Sequence, residues 1–171
     1  PEIITRCTAE ALEDLVADGI IYTELHISPR SVGRMSAKEY VEAVVRGVEA
    51  ACEPGWPWQF KAQLVINVQR GCTFQDAFAN VRLAVECPTC VGVALVGDPR
   101  VDKLEVWDYL SSCFEEAREE GLKVSISSFM EVRNTKEACA QIEFDPDRIG
   151  HGATMLTDPV FWKNFAEPLA A

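Results

Sequence analysis

The residues best suited to chemistry in this chain lie in the tract Asp147-Arg148-Ile149-Gly150-His151-Gly152. A histidine stands there between two glycines just after a short apolar run, and the 171-residue chain has only two histidines. A strand ending at this point would release the imidazole into a cleft, and the glycines would let backbone or a ligand approach closely. The tract taken alone is equally compatible with a tight turn whose histidine merely caps a strand.

A second group of candidates lies in the β-rich segment Ile20–His26. Because side chains alternate along a strand, Tyr22, Glu24 and His26 share one face. A glutamate and a histidine two residues apart could hydrogen-bond each other, bind a metal or contact a ligand. A buried pair that satisfies its own hydrogen bonds is the alternative interpretation.

The cysteines do not indicate a disulfide framework. Their number, seven, is odd, and the chain is large enough to form a substantial core, which favours reduced thiols in a cytoplasmic protein. Cys87-Pro88-Thr89-Cys90 has the spacing of a redox or zinc-binding pair, but no second such pair exists. We therefore expect a turn at this position.

The overall charge limits the partners that the chain can bind. A formal net charge of −11 repels phosphate backbones, so we expect no nucleic-acid partner. No apolar run approaches the roughly 20 residues that cross a bilayer, and no signal peptide opens the chain, so we expect no membrane partner. Small neutral or cationic ligands fit better, although one phosphate could still be held by Arg30, Arg34, Arg70 or Arg100.

Helix and strand patterns alternate along the chain and predict one α/β domain over residues 1–171. Strands are predicted at 20–26, 60–68, 91–96, 122–127 and 148–150. Helices are predicted at 9–17 after the cap Thr8, from the capping box at Ser36 to about 52, from the cap Thr73 to about 85, and at 103–120, 136–142 and 159–165. Such alternation indicates a parallel sheet, either open and doubly wound or part of a (β/α)8 barrel with about five of its eight units.

Polar residues gather where the predicted strands end. In both architectures ligands bind beyond the carboxyl ends of the strands. In strand order, these residues are His26 with Glu24, then Asn67 with Gln69 and Arg70, then Asp98, then the segment 127–131, and last His151. Five strand ends that each deliver a polar side chain predict one shared ligand pocket.

Four tracts, in this order, resemble motifs of the adenosine deaminase family of metal-dependent amidohydrolases, including its branch that acts on modified AMP. They are DGIIYTELHISPR at 18–30, VGVALVGD at 91–98, GLKVS at 121–125 and DRIGHG at 147–152. The resemblance covers nearly the whole chain. It implies a (β/α)8 TIM barrel, here partial, that hydrolyses the 6-amino group of a purine nucleoside or nucleotide with the help of zinc.

The resemblance also implies roles for individual residues. Glu131 would be the acid that protonates the purine ring, and His151 would orient the attacking water. Gly97 would offer its backbone to the purine, with Asp98 beside it. We also expect Glu24 and His26 to contact the substrate.

The metal ligands are where the chain departs from the family. A histidine pair is expected upstream of Pro1 and an aspartate downstream of Ala171, while Ser127 or Ser128 replaces the third ligand, a histidine. Ala94 stands at a family aspartate and His26 at a family arginine. We therefore expect no metal ligands and no cofactor in this chain, although a substitute site drawn from Glu24, His26, Asp98, Glu131 and His151 remains the lesser alternative.

Three functional hypotheses follow. The chain could be part of an adenosine-deaminase-like hydrolase, recorded as a fragment or a truncated gene product, and inactive by itself because water without a metal keeps a pKa near 15.7. It could instead be a non-catalytic descendant that binds purines or a partner protein. It could also have an assembly role, with self-association through exposed sheet edges. The sequence leaves open whether a nucleoside or a nucleotide is the substrate.

Overall fold

A computed structural model describes residues 1–52, 60–98, 106–127 and 135–153. Within these residues helices and strands alternate. The helices span Glu2–Ala17 (α1), Ala37–Ala51 (α2), Phe74–Glu86 (α3), Val106–Glu119 (α4) and Thr135–Glu143 (α5). The strands span Tyr22–Ile27 (β1), Lys61–Gln69 (β2), Cys90–Val96 (β3), Lys123–Ile126 (β4) and Arg148–Ile149 (β5).

The strand order identifies the architecture. All neighbouring strands are parallel, and their order in the sheet is β1-β2-β3-β4-β5, the same as in the chain. A doubly wound sheet would reverse its strand order at a switch point, and this sheet does not. The prediction of a partial (β/α)8 barrel with about five βα units is confirmed.

An ion pair between the two outermost strands shows that the sheet is curled. Arg148 on β5 donates to the carboxylate of Glu24 on β1. The strand pairing links Arg148 to Ser125, Ser125 to Ala94, and Ala94 to Asn67. Asn67 lies one residue past the Ile27–Ile66 pair and is therefore level with Ser28, which is four residues beyond Glu24. An offset of four residues over four strand-to-strand steps agrees with the strand stagger of a (β/α)8 barrel, whose shear number is eight.

The two faces of the sheet differ in polarity. The outer face is apolar and packs on the helices, and it buries Leu64, Ile66, Val68, Val93, Leu95, Val124 and Ile126. From the helices, Leu12, Val44, Val81, Leu110 and Phe114 complete this core. The inner face carries polar side chains, among them Tyr22, Glu24, Asn67, Ser125 and Arg148. Helix packing therefore stabilises the outer face and leaves the inner face for polar contacts.

Most predicted helix starts are correct. Ser36 and Glu39 form the predicted capping box before α2, and the Thr73 side chain accepts from the backbone of Asp76 at the start of α3. The remaining predicted bounds that fall within the described residues agree with the structure to within about three residues, as is usual for helix and strand ends. The predicted helix at 159–165 lies outside the described residues.

The predicted start of the first helix is wrong. Helix α1 begins at Glu2, with Pro1 as its N-cap residue, so Thr8 lies inside the helix rather than at its cap. Contacts with α2 account for the difference. The Thr5 hydroxyl donates to the carbonyl of Ala43 at 2.9 Å, and Thr8 packs where Gly47 has no side chain. Tertiary packing thus extends a helix that its local capping signal would have started later.

The cysteines behave as the sequence predicts. All seven are free thiols, and Cys90 N–H donates to the carbonyl of Cys87 at 3.0 Å across the predicted turn. Burial raises the pKa of the Cys90 thiol to about 11, so it holds little of the reactive thiolate at neutral pH. Among the described residues, no helix is both long and apolar enough to cross a membrane.

Candidate functional site

The carboxyl ends of β1 and β2 are joined by four polar side chains, which we call the carboxamide cluster: His26, Ser28, Asn67 and Gln69. Asn67 lies at its centre and is only 8% exposed. Its Oδ1 lies 3.2 Å from His26 Nδ1, and its Nδ2 donates to Ser28 Oγ at 3.1 Å. Gln69 Nε2 also donates to Ser28 Oγ at 3.1 Å. The strand alternation that brings His26 to the inner face thus also brings Ser28 there.

Helix α3 holds the main chain of β2 at Asn67, the central residue of this cluster. Asn80 Nδ2 donates to the main-chain carbonyl of Asn67 at 3.2 Å. The Asn67 side chain is therefore held at its backbone by α3 and at its amide by His26 and Ser28. Such a side chain has little freedom to turn, so the groups that it contacts are also oriented.

A buried ion pair joins the end of β2 to helix α5. Arg70 donates to both carboxylate oxygens of Glu137 at 2.8 and 3.0 Å, and the two side chains are only 4% and 8% exposed. Gln141 Nε2 donates to the same carboxylate at 3.0 Å. Arg70 is therefore engaged within the fold and is a poor candidate for holding a phosphate.

The same arginine lies against Gly97, the residue predicted to offer its backbone to the purine. Arg70 N–H donates to the carbonyl of Val96 at 2.8 Å. Gly97 has a φ of +123°, and a Cβ there would lie 3.2 Å from the Cβ of Arg70. Only glycine adopts this backbone readily, and Arg70 fills the space that a side chain at Gly97 would need. Asp98 follows directly at the end of β3.

The ends of β4 and β5 meet at Ser127 and Gly150. Ser127 N–H donates to the carbonyl of Leu95 at 2.9 Å, and Gly150 N–H donates to that of Ile126 at 2.8 Å. A Cβ at Gly150 would collide with the Ser127 hydroxyl. The next residue, His151, is exposed and has a φ of +55°, a left-handed conformation that non-glycine residues adopt at a cost.

Glu24 lies toward the other end of β1 and has different partners. The Arg148 guanidinium, followed by the Tyr22 hydroxyl, holds the pKa of the Glu24 carboxyl below its ordinary value. The Tyr22 hydroxyl donates to Glu24 at 2.7 Å, and this bond, together with burial, raises the pKa of Tyr22. A cavity of about 390 Å³ lies beside them, lined also by Gly92, Lys123, Ser125 and Asp147. Glu24 thus shares the inner face with His26 but contacts a different set of residues.

The structure brings four of the predicted site residues to the carboxyl ends of the strands. These are His26 after β1, Gly97 and Asp98 after β3, and His151 after β5. Glu131 and Ser128 lie outside the described residues. Sequence reasoning missed Ser28 and Glu137. Alternation from His26 would have found Ser28, whereas no local signal pairs Glu137 with Arg70, 67 positions earlier.

The donor atoms of the described residues do not suit a metal ion. Within the described ranges no three side chains of histidine, cysteine, aspartate or glutamate lie together where they could hold an ion. His26 Nδ1 is occupied by Asn67, and the end of β4 offers the neutral hydroxyl of Ser127. Zinc, which the family resemblance implies, normally needs about three protein ligands, so this part of the chain does not fit it.

Comparison with known proteins agrees with the fold and with the sequence motifs. A family model described as Adenosine deaminase matches residues 1–169. The N6-mAMP deaminase of Arabidopsis thaliana is 28% identical, over 86% of this chain and 47% of that protein. The crystal structure of Arabidopsis ADAL complexed with IMP matches with a TM-score of 0.81 at 28% identity, over 95% of this chain and 48% of that one.

A more distant structure shares the fold. It is an amidohydrolase from Burkhoderia ambifaria with bound Zn, and it matches with a TM-score of 0.79 at 18% identity, over 98% of this chain and 46% of that one. The chain therefore spans about half the length of each of these relatives.

Proposed function

The chain belongs to the adenosine deaminase family, and from that premise we propose that it supplies the purine-binding part of an aminohydrolase barrel and catalyses no turnover by itself. The reaction of the whole barrel would be hydrolytic deamination of a purine nucleoside or nucleotide to its inosine form. A nucleotide is the better candidate substrate, because one relative is named for N6-mAMP and another was crystallised with IMP.

The observation that carries this proposal is the hydroxyl of Ser127 at the end of β4. The family resemblance places a metal-binding imidazole at this position or the next, and both residues are serines. A neutral hydroxyl is a poor zinc ligand beside imidazole, thiolate or carboxylate. Together with the lack of any three-donor group in the described ranges, this supports purine binding without hydrolysis by the described part of the chain.

Several residues would still bind and orient a purine. We propose that Gly97 offers its backbone to the ring, as the family resemblance implies, and that Asp98 lies beside it at the same edge of the sheet. We propose that, in the reaction of the whole barrel, His151 would orient water near the 6-position and Glu131 would give a proton to the ring. We propose that Glu24, whose carboxylate accepts from Arg148 and Tyr22, contacts the substrate from the inner face.

A non-catalytic binding or assembly role is the second candidate. Three departures from the family motifs favour it: Ser127, Ala94 and His26. Loss of one metal ligand alone would be weaker support for a non-catalytic role than these three changes together. Self-association belongs to this candidate, since β1 and β5 are the outer strands of the described sheet. We also propose a cytoplasmic location, supported by the seven free thiols.

Calorimetry combined with a product assay tests the proposal. The purified chain is titrated with IMP, AMP and N6-methyl-AMP, with CMP as the pyrimidine control, and each mixture is assayed for IMP. We expect saturable heat with the purine nucleotides, none with CMP, and no IMP formed from AMP or N6-methyl-AMP. Equal heats for CMP and IMP, or no heat with any nucleotide, would contradict purine binding.

A further inference from the structure

The hydrogen bonds of Asn67 determine which nitrogen of His26 carries a proton. Because Asn67 Nδ2 donates to Ser28 Oγ, the amide oxygen Oδ1 is the atom that faces His26 Nδ1. An amide oxygen can only accept, so Nδ1 must carry hydrogen and donate. In the neutral imidazole the other nitrogen, Nε2, is then a hydrogen-bond acceptor.

The hydrogen bonds of Ser28 determine the direction of its hydroxyl proton in the same way. Ser28 Oγ accepts from Asn67 Nδ2 and from Gln69 Nε2, each at 3.1 Å. A hydroxyl oxygen has two lone pairs, and these two amides use both. The hydroxyl can therefore only donate to a further group, and no such acceptor is found among the described residues.

The carboxamide cluster thus presents two groups to a ligand. With a neutral ring, His26 Nε2 is a hydrogen-bond acceptor, and the Ser28 hydroxyl is a donor; the buried side-chain amide of Asn67 lies between them. His26 is exposed and Ser28 is half-buried, so a ligand can reach both, while Asn67 beneath them is 8% exposed. A phosphate or carboxylate only accepts and an ammonium only donates, so each would leave one of the two groups unpaired. Hydroxyl groups both donate and accept, and neighbouring hydroxyls on a sugar satisfy both at once.

We infer that His26 Nε2 and the Ser28 hydroxyl bind the ribose hydroxyls of the purine ligand, with Asn67 as the residue that positions them. This inference rests on the proposed function and adds the part of the ligand that the end of β1 recognises. The arginine that the family motif carries in place of His26 has donors only, so an acceptor at this point is a feature of this chain.

Two ligands that differ by the sugar test the inference by calorimetry. Inosine carries ribose, and hypoxanthine is the same base without it. His26→Arg keeps a donor toward Asn67 but removes the acceptor, and Ser28→Ala removes the donor. We expect each change to weaken inosine binding about three- to tenfold and to leave hypoxanthine binding unchanged. Ser112→Ala on the exposed surface of α4 is the matched control.

The outcomes separate this inference from the proposed function. If wild-type chain and both variants bind inosine equally well, the ribose contact is wrong and purine binding stands. If wild-type chain binds neither inosine nor hypoxanthine, the ribose contact is wrong, and purine binding fails with it only if IMP, titrated in parallel, also gives no heat.

A nitrogen-15 NMR spectrum of the histidine side chains tests the role of Asn67 without any ligand. We expect the neutral His26 ring to carry its proton on Nδ1, and we expect Asn67→Ala to abolish that preference. A wild-type ring protonated on Nε2 would overturn the inference whatever the binding data show.

Discussion

His151 shows how one residue of the candidate site can lie in a conformation that the rest of the fold must support. Its φ of +55° is left-handed, and its neighbour Gly150 has no room for a side chain beside Ser127. Left-handed backbone costs a non-glycine residue about 1 to 2 kcal/mol, and such conformations tend to occur at functional sites. Because this conformation lowers stability, its presence agrees with a functional role for the His151 imidazole.

Two substitutions of His151 separate its backbone from its side chain. Both His151→Ala and His151→Gly remove the imidazole, but only glycine tolerates the left-handed conformation freely. We expect the free energy of unfolding in urea to be about 1 kcal/mol higher for the glycine variant than for the alanine variant. Equal stabilities would mean that the backbone here carries no such cost.

Asp147, at the start of the same tract, gives the stability of the chain a dependence on pH. Lys123 Nζ at 2.7 Å, followed by the backbone N–H of Val124 at 2.9 Å, lowers the pKa of this carboxyl. A carboxyl whose pKa is lower in the folded state than in the unfolded state stabilises the fold above the unfolded value, near 3.9. That contribution is lost as pH falls through the folded value.

We therefore expect Asp147→Asn to flatten the loss of stability between about pH 5 and pH 3. The pair with Lys123 is largely exposed, so the variant should lose no more than about 1 kcal/mol at neutral pH. Unfolding curves in urea at several pH values measure both effects, with Asp14→Asn on the exposed surface of α1 as the control. An unchanged pH dependence in Asp147→Asn would assign the acid sensitivity to other carboxyls.

Among individual residues, the sequence predicts those whose signal is local. Alternation along β1 correctly placed Tyr22, Glu24 and His26 on one face. It could not show that Glu24 pairs with Arg148, because that contact joins residues 124 positions apart and depends on the curl of the sheet. The proposed substrate roles of Gly97, Asp98 and His151 remain predictions.

At the scale of whole elements, the ion pair between Arg70 and Glu137 is a buried polar link between the sheet and a helix. It ties the end of β2, next to Gly97, to helix α5. Removing one partner of a buried ion pair lowers the free energy of unfolding strongly, whereas replacing both partners with apolar residues can leave it nearly unchanged.

We expect Glu137→Ala to cost about 3 to 5 kcal/mol of unfolding free energy, because it removes the carboxylate that the buried Arg70 guanidinium contacts through two hydrogen bonds. The double variant Arg70→Met with Glu137→Met should recover most of that loss. Glu86→Ala, which breaks the exposed pair with Lys38, is the control and should cost less than about 1 kcal/mol. A double variant as unstable as Glu137→Ala would show that packing rather than charge makes this contact important.

Helix and strand positions were predictable where capping and periodicity act locally. Ser36 with Glu39 and Thr73 with Asp76 set the starts of α2 and α3 as their sequences indicate. The start of α1 was not predictable in this way, since the contact of Thr5 and Thr8 with α2 near Gly47 favours helix further upstream. Long-range packing, absent from any local window, decided that boundary.

At the scale of the whole molecule, the described sheet curls like part of a barrel but ends at two outer strands, β1 and β5. Strand edges with unpaired backbone groups promote association with another chain. The net charge of −11 opposes contact between two copies, so salt should weaken this repulsion.

We accordingly expect self-association at micromolar concentration that increases with ionic strength. Sedimentation velocity over a range of chain and salt concentrations measures it directly. A single monomeric species under all these conditions would rule out the proposed association through the sheet edges.

We propose that the chain binds a purine, while its described residues lack the ligands for a metal that would activate water. A steady-state assay for IMP formed from N6-methyl-AMP by the purified 171-residue chain, with zinc added, tests this proposal. We expect no product above that of the zinc-containing buffer alone. Sustained formation of IMP in proportion to chain concentration, with zinc retained after dialysis, would contradict it.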